Sequence, residues 1–546
     1  MTALCLIPIN LQQSRLGLPA RVQEQLAGTT VLDQTVRRAA AVPLVAKIVL
    51  VHPRGQNPMA LIDAAKLDKP IDAHEDPEGL IDEQSAKWIA ARKWALTAWR
   101  GGLGSTTVYD ELLPATPLIT ALDAHRIGKH DSVLLVRGDW CLFDSGLAQA
   151  QLALHLEHPE AMKLVFTQAP PGLSGIAMSG TVLRQLAETG SSIGQVLGYN
   201  PHKPGLDPIS REVNHPIPAS VRDCNHRFVY DTPRTIDMIQ AIAAKIDIRN
   251  ADAVRITDTV EAHKLGPHRS KRLPQQVTLE LTPQRAVTGP ITPQHYVELP
   301  RPDLELDLAR RIFAQLEPDT ALLLGGLGDA LLHPQLAQVV AAAHDAQLLG
   351  IGLETDLLCD HDELESLLSL PIDLITVRFN ADSCETYHRV MGTDGFPRVM
   401  HNLQWLFQQK LERKKPLPWI LPRLIKTKQT LTDLESFFER WMRIAGHAVI
   451  EPARCGCGLM PPQSPVPMSP PRRIPCRQLG RRMSILSDGT VALCDQDWLG
   501  RAPLGEVQAH RLQEIWSRVD TVVDAHDRAQ YAELALCQPC NEWHRP

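Results

Sequence analysis

Apolar and polar positions follow two regimes along this chain. In the first, short β-like runs, Leu4 to Ile9, Lys47 to His52, Ser132 to Arg137 and Met162 to Thr167, are separated by stretches whose apolar residues recur at helical spacing. Such alternation predicts an α/β domain with a mostly parallel sheet. A polar, basic connector from His263 to Pro274 then interrupts the periodicity and reads as solvated linker. From Val277 the alternation returns with greater regularity, and strands are predicted at 277–282, 320–325, 348–353, 372–379, 417–424 and 446–451, each separated by a helical stretch. A closed eight-unit barrel takes about 250 residues, so these six units predict an open or partial (β/α)6 barrel with ligands at the C-terminal ends of its strands. Pro461 to Pro475 follows with seven prolines in fifteen residues, a composition that holds neither helix nor central strand and reads as an extended spacer. Beyond it, apolar residues alternate around Asp488-Gly489 in the run Met483 to Cys494, a strong hairpin signal. The expected organisation is three segments, 1–262, 275–452 and 476–546.

Composition adds bounds. A chain of 546 residues with 44% hydrophobic content can bury ordinary cores. A formal charge of -6 offers no basic field to steer a polyanion, which argues against nucleic acid as partner. The first ten residues lack a basic leader and no run reaches bilayer-spanning length, so a cytoplasmic protein without a membrane partner is expected.

The cysteines sharpen the picture. Of eleven, Cys5, Cys141, Cys224, Cys359 and Cys384 lie scattered in apolar or helical segments and are expected to be buried small hydrophobes. The other six cluster after residue 450, which in a reducing compartment favours metal ligation over disulfides. Cys476, Cys494, Cys537 and Cys540 form the clearest set: Cys494 leaves the second hairpin strand, and Cys537 and Cys540 make a CxxC. Four converging thiolates suit either zinc or an iron–sulfur cluster, and spacing does not separate the two. Cys455 and Cys457, a Cys-Gly-Cys before the proline-rich stretch, are further ligand candidates, although a two-residue step places thiolates poorly for one iron cube.

Several motifs carry a family resemblance over roughly residues 277 to 546. Glu280-Leu281-Thr282 ends the first barrel strand, Gly325-Gly326-Leu327-Gly328-Asp329 follows the second, and Thr376 to Asp382 with Glu385 to Arg389 follow the fourth. Together they resemble the radical SAM superfamily, and the Cys476-x17-Cys494-x42-Cys537-x2-Cys540 tail is similar to the SPASM modules that follow many such cores. The resemblance implies one auxiliary [4Fe-4S] cluster on Cys476, Cys494, Cys537 and Cys540, and SAM contacts from Gly325, Gly326, Gly328 and Asp329. One departure stands out. The CxxxCxxC loop that holds the SAM-cleaving cluster in that superfamily falls here on Arg285, Gly289 and Thr292, none of which binds iron as a thiolate does. Without that low-potential donor, reductive SAM cleavage is not expected.

The first domain resembles nucleotide-sugar cytidylyltransferases through Ile7 to Arg21, with Ser14-Arg15-Leu16-Gly17-Leu18-Pro19, and through Arg137-Gly138-Asp139 at a strand end. The resemblance implies Arg15 on a nucleotide triphosphate and Asp139 on Mg2+. A second glycine-rich loop, Arg100 to Thr107, has no assigned purpose. His295, His333 and His388 lie near the barrel's strand ends and are expected at the surface or as caps. The combination looks similar to the group called spiro-SPASM proteins. Its expected role is modification of a peptide, glycan or nucleotide-linked substrate, with a small molecule or peptide as partner. The alternatives are an N-terminal nucleotidyltransferase using NTP and Mg2+, and a non-enzymatic scaffold with a structural metal.

Overall fold

The computed structural model of the chain describes residues 3–76, 86–96, 115–127, 131–191, 193–197, 211–266, 272–466 and 468–545. The glycine-rich loop at 100–107 and the centre of the basic connector, 267–271, lie outside the described residues. The chain divides into two compact units, one of Met1–Ala95 with Ser105–Pro267 and one of Leu96–Gly104 with His268–Pro546.

The first unit is built on a six-stranded sheet. Its strands are β1 (Ala3–Pro8), β4 (Val45–Pro53), β5 (Ile71–Asp76), β6 (Ser132–Leu135), β7 (Leu164–Val165) and β8 (Ile176–Ser179), and the two-residue strands β2 (Gln25–Leu26) and β3 (Thr29–Thr30) form a separate hairpin. The order is β5-β4-β1-β6-β8-β7, parallel from β5 to β6 and antiparallel at β8 and β7. All six residues of β1 are buried, as a central parallel strand requires. β5 and β8 lie outside the predicted strands. β5 reads Ile-Asp-Ala-His-Glu-Asp and occupies an edge, where charge is tolerated, whereas apolar β8 runs straight into the helix Gly180–Thr189.

The second unit carries β9 (Gln276–Leu279), β10 (Ala321–Leu324), β11 (Gly350–Thr355), β12 (Leu374–Arg378), β13 (Trp419–Lys426) and β14 (Val449–Pro452), all parallel and in sequential order. Each falls on a predicted strand to within a few residues. The intervening helices carry the expected local signals. Leu306–Phe313 buries Leu308, Ala309, Ile312 and Phe313 on one stripe, and His361–Ser369 starts with a capping box between Asp360 and Glu363.

The tail does not stand apart as the segmentation expected. β15 (Arg482–Ile485) pairs in parallel with β9, in register from Arg482 opposite Gln276 to Ile485 opposite Leu279. β16 (Thr490–Ala492) and β17 (Pro503–Glu506) continue antiparallel, so one nine-stranded sheet runs β14-β13-β12-β11-β10-β9-β15-β16-β17. The β15–β16 turn is the predicted Asp-Gly hairpin, with Gly489 at φ +86°. The free edge of β9 explains the union: unpaired N–H and C=O groups there are satisfied by the returning chain. Barrel and tail share one apolar core that runs from Val277 through Met483 to Trp516.

Among the five scattered cysteines, Cys5, Cys141 and Cys359 are buried and Cys224 is half-buried. Cys384 is exposed, contrary to expectation, because it opens the helix Cys384–Met391 directly after its N-cap Ser383.

Candidate iron–sulfur site and barrel mouth

Side chains at alternate positions of the barrel strands point inward. Gln276 and Thr278 on β9, Arg423 and Ile425 on β13, and Arg482 and Ser484 on β15 line a cavity of about 190 Å3, together with Cys494, Asp495 and Asp497 from the tail. Its walls are charged, and the charges are paired. Arg423 reaches Glu354 at 3.2 Å and Glu451 at 3.4 Å, and Arg454 reaches Asp495 at 2.6 Å. At the end of β9, buried Glu280 accepts two hydrogen bonds from Arg301 Nη2, at 2.8 and 3.1 Å, and further ones from the Ser487 hydroxyl and backbone N–H in the hairpin turn. Burial pushes the Glu280 carboxyl up, and Arg301 draws it back. Arg301 also donates to the Trp498 carbonyl, so this pair fastens the first barrel strand to the tail.

The loop after β9, where a SAM-cleaving cluster would need cysteines, is filled by an ion-pair network. Arg285 makes a bidentate pair with Asp356, at 2.6 and 2.5 Å, with both side chains buried. Arg378 lies 3.3 Å from the same carboxylate. Burial alone would raise the Asp356 carboxyl, but Arg285 and Arg378 outweigh it and hold it below the usual carboxylate range. Gly289 is locked against the end of the helix Cys384–Met391: its N–H satisfies the Met391 carbonyl at 2.9 Å, and a Cβ there would come within 2.3 Å of the Val390 carbonyl oxygen. Thr292 is fully buried and donates to the Gly289 carbonyl at 2.8 Å. A cysteine therefore has no room at the middle position.

The glycine-rich loop after β10 packs onto this same segment. The Gly325 N–H bonds Leu279 O, the Asp329 N–H bonds Gln284 O, and a Cβ on Gly328 would meet the Thr282 carbonyl at 1.8 Å. Asp329 is buried, with its carboxylate accepting from the N–H groups of Leu331 and Asp356. Burial and the neighbouring Asp356 push its carboxyl up. Of Gly325, Gly326, Gly328 and Asp329, Gly326 alone lines the cavity, at φ +101°. His333 is a buried helix-entry residue bonded to the Leu304 carbonyl, while His295 and His388 are exposed.

The cysteines gather in the tail. Cys457 belongs to the apolar core of this unit, and Cys476, Cys494, Cys537 and Cys540 pack half-buried against that core. The His526 ring accepts the Cys476 N–H at 3.2 Å, and Arg473, stacked on Tyr531, donates to the Cys537 carbonyl at 2.8 Å. Burial pushes the Cys537 thiol up to about 12. Soft sulfur donors held half-buried, with the Glu542 N–H donating to the Cys540 sulfur at 3.4 Å, fit an iron–sulfur cluster, which takes one thiolate per iron. Among the described residues no three His, Cys, Asp or Glu side chains are drawn together tightly enough to hold a single metal ion. The Cys-Gly-Cys pair was the signal in the sequence, and the left-handed turn that brings Cys457 inward was not legible there.

In the first unit, Arg15 and Asp139 line one pocket of about 50 Å3 at the ends of β1 and β6, together with Arg137 and Tyr230. Asp139 is ion-paired with Arg137.

The partial parallel barrel β9 to β14 runs on through β15 into a hairpin whose second strand leads to Cys494. Residues 476–541 match the SPASM family, described as an iron–sulfur cluster-binding domain. Over 297 residues, 51% of this chain and 80% of the other, it is 25% identical to an uncharacterized protein of Treponema pallidum (strain Nichols). Among solved structures it is similar to Streptococcus suis SuiB bound to precursor peptide SuiA, at 10% identity and TM-score 0.40 over 70% of this chain and 94% of that one. It is also similar to a cytidylyltransferase from Leptospira borgpetersenii serovar Hardjo-bovis, at 12% identity and TM-score 0.33 over 48% of this chain and 96% of that one. Among the described residues no helix is long and apolar enough to cross a membrane.

Proposed function

We propose that the second unit holds one [4Fe-4S] cluster in its tail and uses the adjoining charged cavity to bind a peptide, glycan or nucleotide-linked substrate for modification. The observation that carries this reading is Cys494, which packs on the same core as Cys476, Cys537 and Cys540 and also lines the cavity. When bound, the cluster supplies electron transfer or a Lewis-acidic anchor. The chain's own residues do the rest. The paired arginines and carboxylates of the cavity wall orient a polar substrate by exchanging their internal partners for its groups, and Glu280 with Arg301 holds the tail loop over the cavity. Reductive SAM cleavage is outside this reading, because Arg285 is committed to Asp356 and Gly289 admits no side chain. Anaerobic purification with iron, sulfide and zinc analysis and EPR of the reduced protein tests it. Iron and sulfide in equal amounts with a reduced-cluster signal are expected. A colourless protein with zinc alone, or release of 5′-deoxyadenosine from SAM, would overturn it.

A second reading makes the first unit a nucleotidyltransferase using an NTP and Mg2+. It is favoured by the convergence of Arg15 and Asp139 on one pocket. A ligand that binds the folded state raises its melting temperature by mass action, so the NTP with Mg2+ should stabilise the parent and not Asp139→Ala. No shift in the parent removes this reading.

A further inference from the structure

We propose that the side chains of His526 and Gln496 are hydrogen-bond donors to the sulfur of the tail cluster and raise its reduction potential. The inference rests on the iron–sulfur reading above. It keeps Cys476, Cys494, Cys537 and Cys540 as the ligands and concerns the groups packed around them.

His526 stands in the helix Val519–Asp527 and is 2% exposed. Its Nδ1 accepts the Cys476 N–H at 3.2 Å. A ring nitrogen that accepts carries no proton, so the imidazole proton sits on Nε2. That Nε2 is buried, and among the described residues no hydrogen-bond acceptor meets it. Tyr531 packs edge-to-face against the ring, with centroids 5.1 Å apart, and helps to hold it in place.

Gln496 repeats the situation beside a second cysteine. It is 3% exposed, and among the described residues neither atom of its carboxamide has a hydrogen-bond partner. It sits in the turn that the Asp497 N–H closes onto the Cys494 carbonyl at 3.1 Å. Cys494, Asp495, Asp497 and Trp498 line the barrel cavity and Gln496 does not, so its amide is buried away from the cavity. The Arg473 Nε, buried and unmet in the same way, belongs to the side chain that donates to the Cys537 carbonyl at 2.8 Å. At Cys540 a donor already has its sulfur, the Glu542 N–H at 3.4 Å.

Buried N–H groups are almost always paired, because an unmet donor forfeits the bond it had with water. Unmet donors beside three of the four expected ligands, with an N–H···S bond formed at the fourth, point to an acceptor that arrives with the metal. Thiolate and inorganic sulfide are such acceptors. Bonds to them favour the reduced, more negative state of a cluster, so His526 and Gln496 raise its potential.

The test uses the full chain, reconstituted anaerobically as parent, His526→Asn and Gln496→Leu, with midpoint potentials read by EPR-monitored redox titration. His526→Asn keeps an acceptor for the Cys476 N–H and removes the Nε2 donor, and Gln496→Leu keeps the volume and removes the amide. Both should hold parental iron and sulfide at a lower potential than the parent. A merely structural role would lower the melting temperature at unchanged potential. A parental potential in either iron-loaded variant overturns the proposal for that residue. Should a variant fail to load, pulsed EPR of the reduced parent grown on nitrogen-labelled histidine or glutamine decides instead. Coupling of the label to the cluster supports the bond, and its absence refutes it. A parent without iron removes the cluster reading as a whole, whereas loaded parent and variants of one potential remove this inference alone.

Discussion

The loop after β9 and the loops of the tail both bury groups that cannot be left alone, and they resolve the problem in opposite ways. In the first, Arg285, Asp356, Arg378 and Asp329 satisfy one another, and Gly289 seals the segment against a helix end. In the second, half-buried thiols pack on one apolar core with no charged side chain paired to them among the described residues. A buried charge finds its partner in another side chain, so the first site is closed from within. A thiol is a weak donor and a weak acceptor, and its strong partner is a metal, so the second site is open to one. In this second unit, then, one place at the barrel mouth is closed by paired charges, and another gathers sulfur.

The comparison can be broken most directly at the thiols. The double variant Cys494→Ser/Cys540→Ser should abolish iron and sulfide incorporation entirely, read by metal analysis and loss of the brown colour; retained iron would show that the tail is not the site. Next in size is Arg285→Ala, which leaves the buried Asp356 carboxylate with Arg378 alone. Breaking a buried pair costs about 3–5 kcal/mol, to be read from urea denaturation, with iron content unchanged if the two sites are independent. Smaller is Gly289→Ala, whose added methyl meets backbone that must shift, a loss of about 1–3 kcal/mol. By the same argument the triple variant Arg285→Cys/Gly289→Cys/Thr292→Cys should gain no second cluster, and twice the parental iron would refute the steric account.

The smallest effect concerns pH. Asp356 has its pKa lowered from the model-peptide value of 3.8, so the folded state holds its charge more strongly than the unfolded chain does. Its contribution is fully present above pH 3.8 and is lost as pH falls below it through the depressed folded value. Urea midpoints of the parent should fall more steeply below that pH than those of Asp356→Asn, and parallel slopes would show that the pair does not titrate in this way.

Much of this was legible along the chain. The six barrel strands and the Asp-Gly hairpin announced themselves because hydrophobic period and turn chemistry are local properties, set by neighbours a few residues apart. The tail thiols were visible because metal ligands are rare residue types clustered at short spacing. The edge strand β5 and β8 were not legible, since one is polar and the other runs straight into a helix.

By itself the sequence determined the element types, the presence of Arg285, Gly289 and Thr292 rather than cysteines after the first barrel strand, and the soft donors at the far end. Tertiary structure alone decided that β15 completes the barrel's open edge, that Arg285 meets Asp356 across 71 residues of chain, and that Cys457 joins the core on which the tail cysteines pack. Those outcomes depend on which distant backbones pair and which buried charges or side chains find partners. Strand pairing and charge pairing are contests between segments that no local pattern encodes.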